Sequence, residues 1–174
     1  IIAQTTNNNL GTAGMAHGVS ILPIKAFNNK GSGEKADIAA GIIWAVDAGA
    51  DVLNLSFGSD EESQIMYDAL KYAYDHGMAI IAATGNSNTS VAYPAAYTDY
   101  VLAIGAIRYD KQKASYSNYG IELDIMAPAG DADAQIGYLA GILQQSVYGG
   151  VTDFYLRRGT SMAAPHVSAL AALL

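Results

Sequence analysis

The hydrophobic positions of the chain form two alternating patterns. Short, nearly continuous apolar runs are typical of strands that are buried on both faces of a sheet. Longer stretches with apolar residues three or four positions apart are typical of helices. The predicted strands are 19–24, 52–55, 78–83 and 100–107, and the predicted helices are 34–47 and a second one that begins at the acidic residues 60–62 and ends at 76–77. This alternation predicts an α/β fold with parallel βαβ units, and ligands are expected at the carboxyl ends of the strands.

The last third of the chain has a different pattern. It contains a short predicted strand at 123–126 and a predicted hairpin whose arms, 144–148 and 152–156, are joined by Gly149-Gly150. The residues from Met162 to Leu174 are almost wholly apolar, which predicts a buried helix. Pro165 lies near its start, and because proline is tolerated in a first turn, we expect the helix to begin just before it.

Composition narrows the class of protein. The 174 residues are 51% hydrophobic and only 14% charged, which predicts one folded domain and excludes a disordered chain. No apolar run reaches the ~18 residues of a membrane span. The net charge of −7 argues against nucleic acids and anionic membranes as partners, since both select basic surfaces. The absence of cysteine excludes a disulfide scaffold, a thiol nucleophile and a cysteine-ligated zinc site.

Two short motifs are candidates for chemistry. Gly31-Ser-Gly-Glu-Lys-Ala36 fits a G-x-G-x-x-A phosphate loop between a predicted strand and a helix, but Glu34 would put a carboxylate where a pyrophosphate belongs, so a simple turn is favoured. Ser161 begins the last predicted helix, where free N–H groups and the helix dipole favour a developing negative charge. On Gly-Thr-Ser alone, an ordinary helix cap explains Ser161 as well as a nucleophile does.

The string Gly159-Thr-Ser-Met-Ala-Ala-Pro-His-Val167 resembles, at nine consecutive positions, the catalytic-serine motif of the subtilases, the subtilisin-like serine peptidases. Further segments resemble the family in the same order along the chain. Leu53 to Gly58 is similar to the strand and loop at the substrate's P1 pocket, Ala82 to Asn86 to the oxyanion-hole segment, and Leu123 to Pro128 to the strand before the serine. Tyr93-Pro94 matches a dipeptide that is usually cis in the family.

The resemblance implies a three-layer αβα fold with a mostly parallel sheet, of which this chain would be an incomplete part. It also implies a serine endopeptidase that acts through an acyl-enzyme on Ser161, with Asn86 and the Ser161 N–H as oxyanion donors, on peptide or protein substrates. No organic cofactor is implied. The implied substrate-binding residues are Gly31, Ser32, Gly33, Ser56, Phe57, Gly58, Ala83, Thr84 and Gly85.

The Asn-rich loop near the N-terminus is a candidate cation site. Its amide and carbonyl oxygens suit calcium, although an ordinary solvated loop explains them as well. The resemblance places the family's structural calcium here and implies the carbonyls of Thr6, Leu10 and Thr12 and the side chain of Asn8 as ligands. Since the loop contains no carboxylate, we expect the remaining ligands to come from outside this chain.

The chain provides no obvious general base for Ser161. His166 lies five residues further along the helix, about 140° around its axis, and is predicted not to reach Ser161 Oγ. His76 at a helix end and His17 before a strand are better explained as capping or surface residues. The resemblance places the catalytic Asp and His upstream, and Ile1 to Gln4 resembles the continuation of the histidine helix. We therefore expect that residues 1–174 are part of one catalytic domain, that both residues and a C-terminal portion lie outside the chain, and that the chain alone is inactive.

The segment 129–158 is long for the family and resembles the fervidolysin-like bacterial branch. Its polar residues Asp131, Asp133, Gln144 and Gln145 could reshape the edge of the cleft or bind a cation, and a plain surface insertion is an equal alternative. The resemblance further implies a secreted protein that pairs with its own upstream segment or a propeptide. The alternatives are an inactive subtilase-like protein used for binding and a nucleotide-binding α/β module that uses the loop from Gly31 to Ala36.

Overall fold

A computed structural model describes residues 1–131 and 140–174. Among these residues, none of the helices combines the length and the apolar character that crossing a membrane requires. The elements in chain order are α1 (Lys35–Asp47), β1 (Val52–Leu55), α2 (Gln64–Asp75), β2 (Ala79–Ala83), β3 (Leu102–Ile107), β4 (Ile125–Pro128), β5 (Ile142–Tyr148), β6 (Val151–Arg157) and α3 (Thr160–Ala171).

Four strands form a parallel sheet in the order β1-β2-β3-β4. Each neighbouring pair is therefore joined by a crossover, and the carboxyl ends of all four strands meet at one edge. The α/β class with a parallel sheet is confirmed. Strands β5 and β6 form a separate antiparallel hairpin, and the turn residues Gly149 and Gly150 have φ values of 58° and 80°. A turn with two positive φ values favours glycine at both positions, which is why the sequence pattern identified this hairpin correctly.

Helices cover both faces of the sheet and produce three layers. Successive strand residues point to opposite faces, so Ile80 and Ala82 pack with α1 and α2, whereas Ile81 and Ala83 pack with α3. The α3 face contributes mostly small side chains, including the fully buried Ala163 and Ala164. Small residues at this interface allow α3 to lie close to the sheet, and this places its N-terminus near the carboxyl ends of the strands.

The predicted strand at 19–24 is wrong. These residues are assigned no strand, and Ile21 and Leu22 have 57% and 41% of their surface exposed. A strand requires a hydrogen-bonded neighbour as well as an apolar run, and no described residue pairs with this segment. Pro23 also lacks the N–H that such a ladder would use.

Two other predicted boundaries are shifted. Helix α2 begins at Gln64 with Ser63 as its N-cap residue, so the acidic trio 60–62 lies in the preceding loop instead of the first turn. The strand predicted at 123–126 is observed at 125–128. In both cases a polar residue lies close to the boundary, and the apolar period alone does not locate the terminal hydrogen bond.

Candidate active site

Ser161 is the second residue of α3 and lies at the carboxyl-terminal edge of the sheet. Gly159 is the N-cap, with φ 123° and ψ 156°, a conformation that a residue with a side chain rarely adopts. The Ser161 hydroxyl donates a hydrogen bond to the carbonyl oxygen of Ser56, just after β1, at 3.0 Å. In return, Ser56 Oγ donates to the carbonyl oxygen of Ser161 at 3.1 Å. This reciprocal pair joins the start of α3 to the end of β1.

Pro165 explains why the Ser161 carbonyl is available to Ser56. The expectation that Pro165 lies in the first turn is wrong, because it is the sixth residue of α3. In a regular helix the carbonyl of residue 161 accepts from the N–H of residue 165, and proline has no N–H. The Ser56 hydroxyl supplies the missing donor, so the proline couples the nucleophile candidate to the neighbouring loop.

A chain of polar side chains continues from this pair into the protein. Asn54 Nδ2 donates to Ser56 Oγ at 2.9 Å, and Asn54 Oδ1 accepts from Ser168 Oγ at 2.9 Å. Ser168 is only 2% exposed, two turns along α3 from Ser161. Since each of these buried or half-buried groups has a partner, the network fixes the Ser56 side chain in one orientation.

Asn86 lies on the loop after β2 and faces the start of α3. Its Oδ1 accepts hydrogen bonds from the Thr160 N–H at 2.8 Å and from Thr160 Oγ1 at 3.0 Å. Because a backbone N–H can only donate, these contacts identify the oxygen end of the amide. The Nδ2 end of this exposed side chain has no hydrogen-bond partner among the described residues, so it is available as a donor. Thr160, which is fully buried, also accepts the Gly85 N–H at 3.2 Å.

The residues preceding Asn86 differ in what they can offer to a ligand. Ala83 and Thr84 are 3% and 0% exposed, so their side chains face the interior and not the cleft. Gly85 has φ 105°, and a Cβ there would overlap the Asn118 side chain. Asn118 in turn accepts from the N–H groups of Ser87 and Thr89, which shapes the loop. Substrate binding by residues 83–85 stays a prediction. Because the side chains of Ala83 and Thr84 are buried, these two residues can offer a substrate only their backbone groups.

Five of the six remaining predicted substrate-binding residues meet at one cavity, which Ser56 does not line. Its volume is about 290 Å³, and its walls bring Gly31, Ser32 and Gly33 together with Phe57 and Gly58. Further lining residues are Phe27, Lys35, Ile38, Ser59, Glu61, Ser63, Met66, Tyr93, Pro94 and Tyr97.

The cavity is largely apolar, with a charged pair at its edge. The Phe27 and Phe57 rings pack with centroids 5.0 Å apart, and Lys35 Nζ lies 3.1 Å from the Glu61 carboxylate. The Tyr93–Pro94 peptide beside it is cis, as the resemblance implied. The cavity is distinct from the immediate surroundings of Ser161 and Asn86, neither of which lines it.

None of the three histidines hydrogen-bonds to Ser161 in the described part of the chain. His166 Nδ1 donates to the Met162 carbonyl at 2.7 Å, and burial lowers the pKa of its imidazole below 6.5. His76 Nδ1 donates to the Tyr72 carbonyl at 2.8 Å at the end of α2, and His17 is exposed. The Ser161 proton therefore faces a carbonyl oxygen, which cannot act as a general base.

The N-terminal loop has oxygen donors of the predicted type. Asn7, Asn9 and Gly11 have φ values of 57°, 56° and 56°, so the backbone turns sharply through this loop. Asn8 Oδ1 accepts the Leu10 N–H at 3.0 Å and keeps a second lone pair. Thr12 Oγ1 donates a hydrogen bond to Gln4 Oε1 at 2.9 Å, so the side chain of Thr12 is held within the loop. Within residues 1–131 and 140–174, no cluster of three or more His, Asp or Glu could hold a metal.

The hairpin of β5 and β6 lies beside the candidate nucleophile. Gln144 Nε2 is 3.1 Å from Met162 Sδ, next to Ser161, and a Cβ on Gly11 would overlap the Phe154 ring. Asp131 is buried and accepts hydrogen bonds from the Ser115 N–H and, at 3.1 Å, from Ser115 Oγ. Asp133 lies outside the described residues. The segment thus contacts the site, and a cation-binding role for it stays a prediction.

This geometry defines a class: α/β proteins with a candidate nucleophilic serine at a helix N-terminus beside an anchored asparagine amide. The sequence profile of the subtilase family matches residues 1–174, and the chain belongs to that family. It is 40% identical over its full length to a thermophilic serine proteinase of Bacillus sp. (strain AK1), and 40% identical over 173 residues to subtilisin DY of Bacillus licheniformis. It covers 40% and 58% of those two proteins, so it spans about half the length of such relatives.

Two solved structures agree with the family assignment. A protease of Pseudoalteromonas arctica PAMC 21717 superimposes with a TM-score of 0.87 at 32% identity, over 99% of this chain and 55% of that one. A lanthipeptide protease superimposes with a TM-score of 0.82 at 26% identity, over 91% of this chain and 56% of that one. The subtilisin-like fold is therefore confirmed, whereas the fervidolysin-like branch stays a prediction.

Sequence reasoning missed several residues that organise the site. Thr160, Asn54 and Ser168 carry the hydrogen bonds that hold Asn86 and Ser56, and Tyr116 contacts Gly159. Thr160 could have been found, because it lies inside the nine-residue motif. Asn54 could have been found too, because it lies inside the string from Leu53 to Gly58 that resembles the family. Ser168 and Tyr116 lie outside the strings that resemble the family, and no local pattern marks them.

Proposed function

We propose that the full-length protein carrying this chain is a serine endopeptidase in which Ser161 forms the acyl-enzyme. The observation that carries the proposal is the position of Ser161 Oγ on the first turn of α3 beside the anchored amide of Asn86. The first N–H groups of a helix have no intrahelical partner, so the Ser161 N–H and Asn86 Nδ2 are available to stabilise an oxyanion.

The chemistry follows from these groups. Ser161 Oγ attacks the peptide carbonyl, its proton passes to a base, and the carbonyl oxygen becomes an oxyanion between the two donors. When the carbonyl re-forms, the C–N bond breaks, the base returns the proton to the leaving amine, and the acyl group stays on Ser161 as an ester. Water then attacks this ester with help from the same base, which releases the acid and restores the Ser161 hydroxyl. The anchoring of Asn86 by Thr160 supports this role, because a pre-oriented donor pays no reorganisation cost during the reaction. The base and its orienting carboxylate are proposed to lie outside this chain, since among the described residues the Ser161 hydroxyl donates to the Ser56 carbonyl and no histidine hydrogen-bonds to it.

A peptide substrate fits the surroundings of Ser161. The segment Ser56 to Gly58 presents backbone groups beside the serine, and a backbone N–H of the substrate would replace Ser161 Oγ as the donor to the Ser56 carbonyl. The apolar cavity that Phe57 and Gly58 line would take an apolar side chain of the substrate, with Phe57 as one wall and the Gly31 to Gly33 loop as another.

Calcium is proposed as a structural ion of the N-terminal loop. The donor set, carbonyls of Thr6, Leu10 and Thr12 with the Asn8 amide oxygen, has the hard oxygen chemistry that calcium prefers. These donors are all neutral, so a carboxylate from elsewhere in the protein is expected to complete the site. The ion would hold the turns of this loop in place. Thermal unfolding of the full-length protein should shift to lower temperature with EDTA and recover with calcium.

Hydrolysis by the full-length protein tests the proposal. A labelled protein substrate should be cleaved by the wild type and by the control Ser20→Ala, whose serine is exposed, and Ser161→Ala should lower kcat by at least about 10³. Retained activity in Ser161→Ala would refute the role of Ser161. A folded wild type without activity would indicate the inactive subtilase, and heat on titration with NAD or ATP would indicate the nucleotide binder. Secretion belongs to the same proposal and is tested by fractionating the culture.

A further inference from the structure

The side chain of Tyr116 connects three separate parts of the chain. Its hydroxyl accepts the Gly159 N–H at 2.9 Å and donates to the Gly130 carbonyl at 2.6 Å. Its ring packs against the core beneath α3. Burial raises the pKa of the Tyr116 hydroxyl, which keeps the proton available for Gly130. One phenol thus uses both its donor and its acceptor capacity on backbone groups.

These two backbone groups lie at the ends of the segment 131–158. Gly130 precedes the segment and Gly159 follows it, and both glycines are buried with positive φ values of 75° and 123°. A Cβ on Gly130 would lie 2.5 Å from the carbonyl oxygen of Ala140, so Ala140 lies close to Gly130. The Tyr116 hydroxyl therefore joins the two ends of the segment that carries the β5–β6 hairpin.

The Gly159 contact leads directly to the oxyanion donor. As the N-cap residue, Gly159 has no intrahelical acceptor for its N–H, and Tyr116 supplies one. The next residue, Thr160, holds Asn86 Oδ1 with both its N–H and its hydroxyl. Restraining the Gly159 backbone thus restrains the peptide whose N–H orients Asn86.

We propose that Tyr116 is a positioning residue, whose hydroxyl fastens both ends of the 131–158 segment and through Gly159 and Thr160 orients the Asn86 amide. This inference rests on the proposed function. Without the hydroxyl, the Gly159 N–H and the Gly130 carbonyl lose a partner in a buried place, and the cap of α3 loosens. The loss falls on an interaction made only in the transition state, so kcat should fall and KM should not change.

Tyr116→Phe in the full-length protein is the test, with Tyr109→Phe as the matched control because Tyr109 is 69% exposed. We expect kcat to fall about tenfold with KM unchanged, and the control to match the wild type. In the background of Asn86→Ala, the same substitution should have little further effect, since both act on one donor. A kcat equal to wild type, or losses that multiply in the double variant, would overturn the inference.

Two further measurements keep the test decisive. If Tyr116→Phe does not fold, p-aminophenylalanine at position 116 keeps a donor for Gly130 and is a poor acceptor for Gly159, so a reduced kcat is again expected and a wild-type kcat would overturn the inference. Labelling of the wild type by a fluorophosphonate separates this inference from the proposed function. An active, labelled wild type with an equally active Tyr116→Phe would refute Tyr116 alone, whereas an inactive, unlabelled wild type would refute both.

Discussion

Thr160→Val is predicted to weaken catalysis without weakening substrate binding. Valine keeps the shape of a side chain that is fully buried but removes the hydroxyl. Two hydrogen bonds disappear: the one to Asn86 Oδ1 at 3.0 Å and the one from the Gly85 N–H at 3.2 Å. Asn86 keeps the Thr160 N–H at 2.8 Å, so the amide retains one of its two anchors.

The expected loss of kcat follows from the number of hydrogen bonds that Thr160→Val removes. A net hydrogen bond contributes about 0.5–1.5 kcal/mol. If the proposed oxyanion donor, Asn86, loses that much stabilisation of its orientation, kcat should be lower by about two- to tenfold. Complete loss of the donor in Asn86→Ala should cost about 10²–10³. The unpaired Gly85 N–H should also lower the free energy of unfolding by about 1–3 kcal/mol.

Steady-state kinetics of the full-length protein on a chromogenic peptide measure kcat and KM separately, and urea unfolding measures the stability. A folded Thr160→Val with unchanged kcat would refute the anchoring of Asn86 by Thr160. So would a full twofold to tenfold loss that persists when Asn86 is already alanine, because the hydroxyl would then act elsewhere.

Three further predictions concern stability, each measured by urea unfolding of the full-length protein. Thr84→Val should raise the free energy of unfolding by about 1 kcal/mol, because the buried Thr84 hydroxyl has no hydrogen-bond partner among the described residues; a clear loss would contradict this. Ser168→Ala should lower it by about 1 kcal/mol, since Asn54 Oδ1 loses its donor, and an unchanged value would show that the network contributes nothing. The burial-lowered pKa of His166 means that the unfolded state takes up a proton more readily, so stability should fall as the pH drops through about 6.5. His166→Gln should reduce that fall, and an identical pH dependence would exclude His166 as its cause.

The central elements of the fold could be predicted because their signals are local. The apolar runs that became β2 and β3 have no other way to be buried, and Gly149-Gly150 allows only a narrow choice of turns. The segment 19–24 has the same local signal, yet it pairs with no described strand. The difference is that β2 and β3 have adjacent strands to pair with, and apolar periodicity carries no information about which strands will be adjacent.

The candidate site likewise has residues that the sequence predicted and contacts that it did not. Ser161 and Asn86 were identified because they lie within strings that resemble a family, and the structure brings both to the start of α3. The contacts that fix them come from residues far along the chain, such as Ser56, which is 105 positions from Ser161. Such contacts depend on tertiary packing. The sequence shows that Pro165 lacks an N–H, but it does not show that the Ser56 hydroxyl replaces it as the donor to the Ser161 carbonyl.

The most direct test of the account is to identify the residue that reacts with a fluorophosphonate probe. The full-length protein should be labelled, digested and mapped by mass spectrometry, with Ser161→Ala treated in parallel. We expect a single adduct on Ser161 that is absent from the variant, because its hydroxyl lies on the first turn of α3 beside the proposed oxyanion donors, whereas the neighbouring Thr160 hydroxyl is fully buried. An adduct on another residue, or a protein that cleaves peptides without reacting at Ser161, would contradict the assignment of Ser161 as the nucleophile.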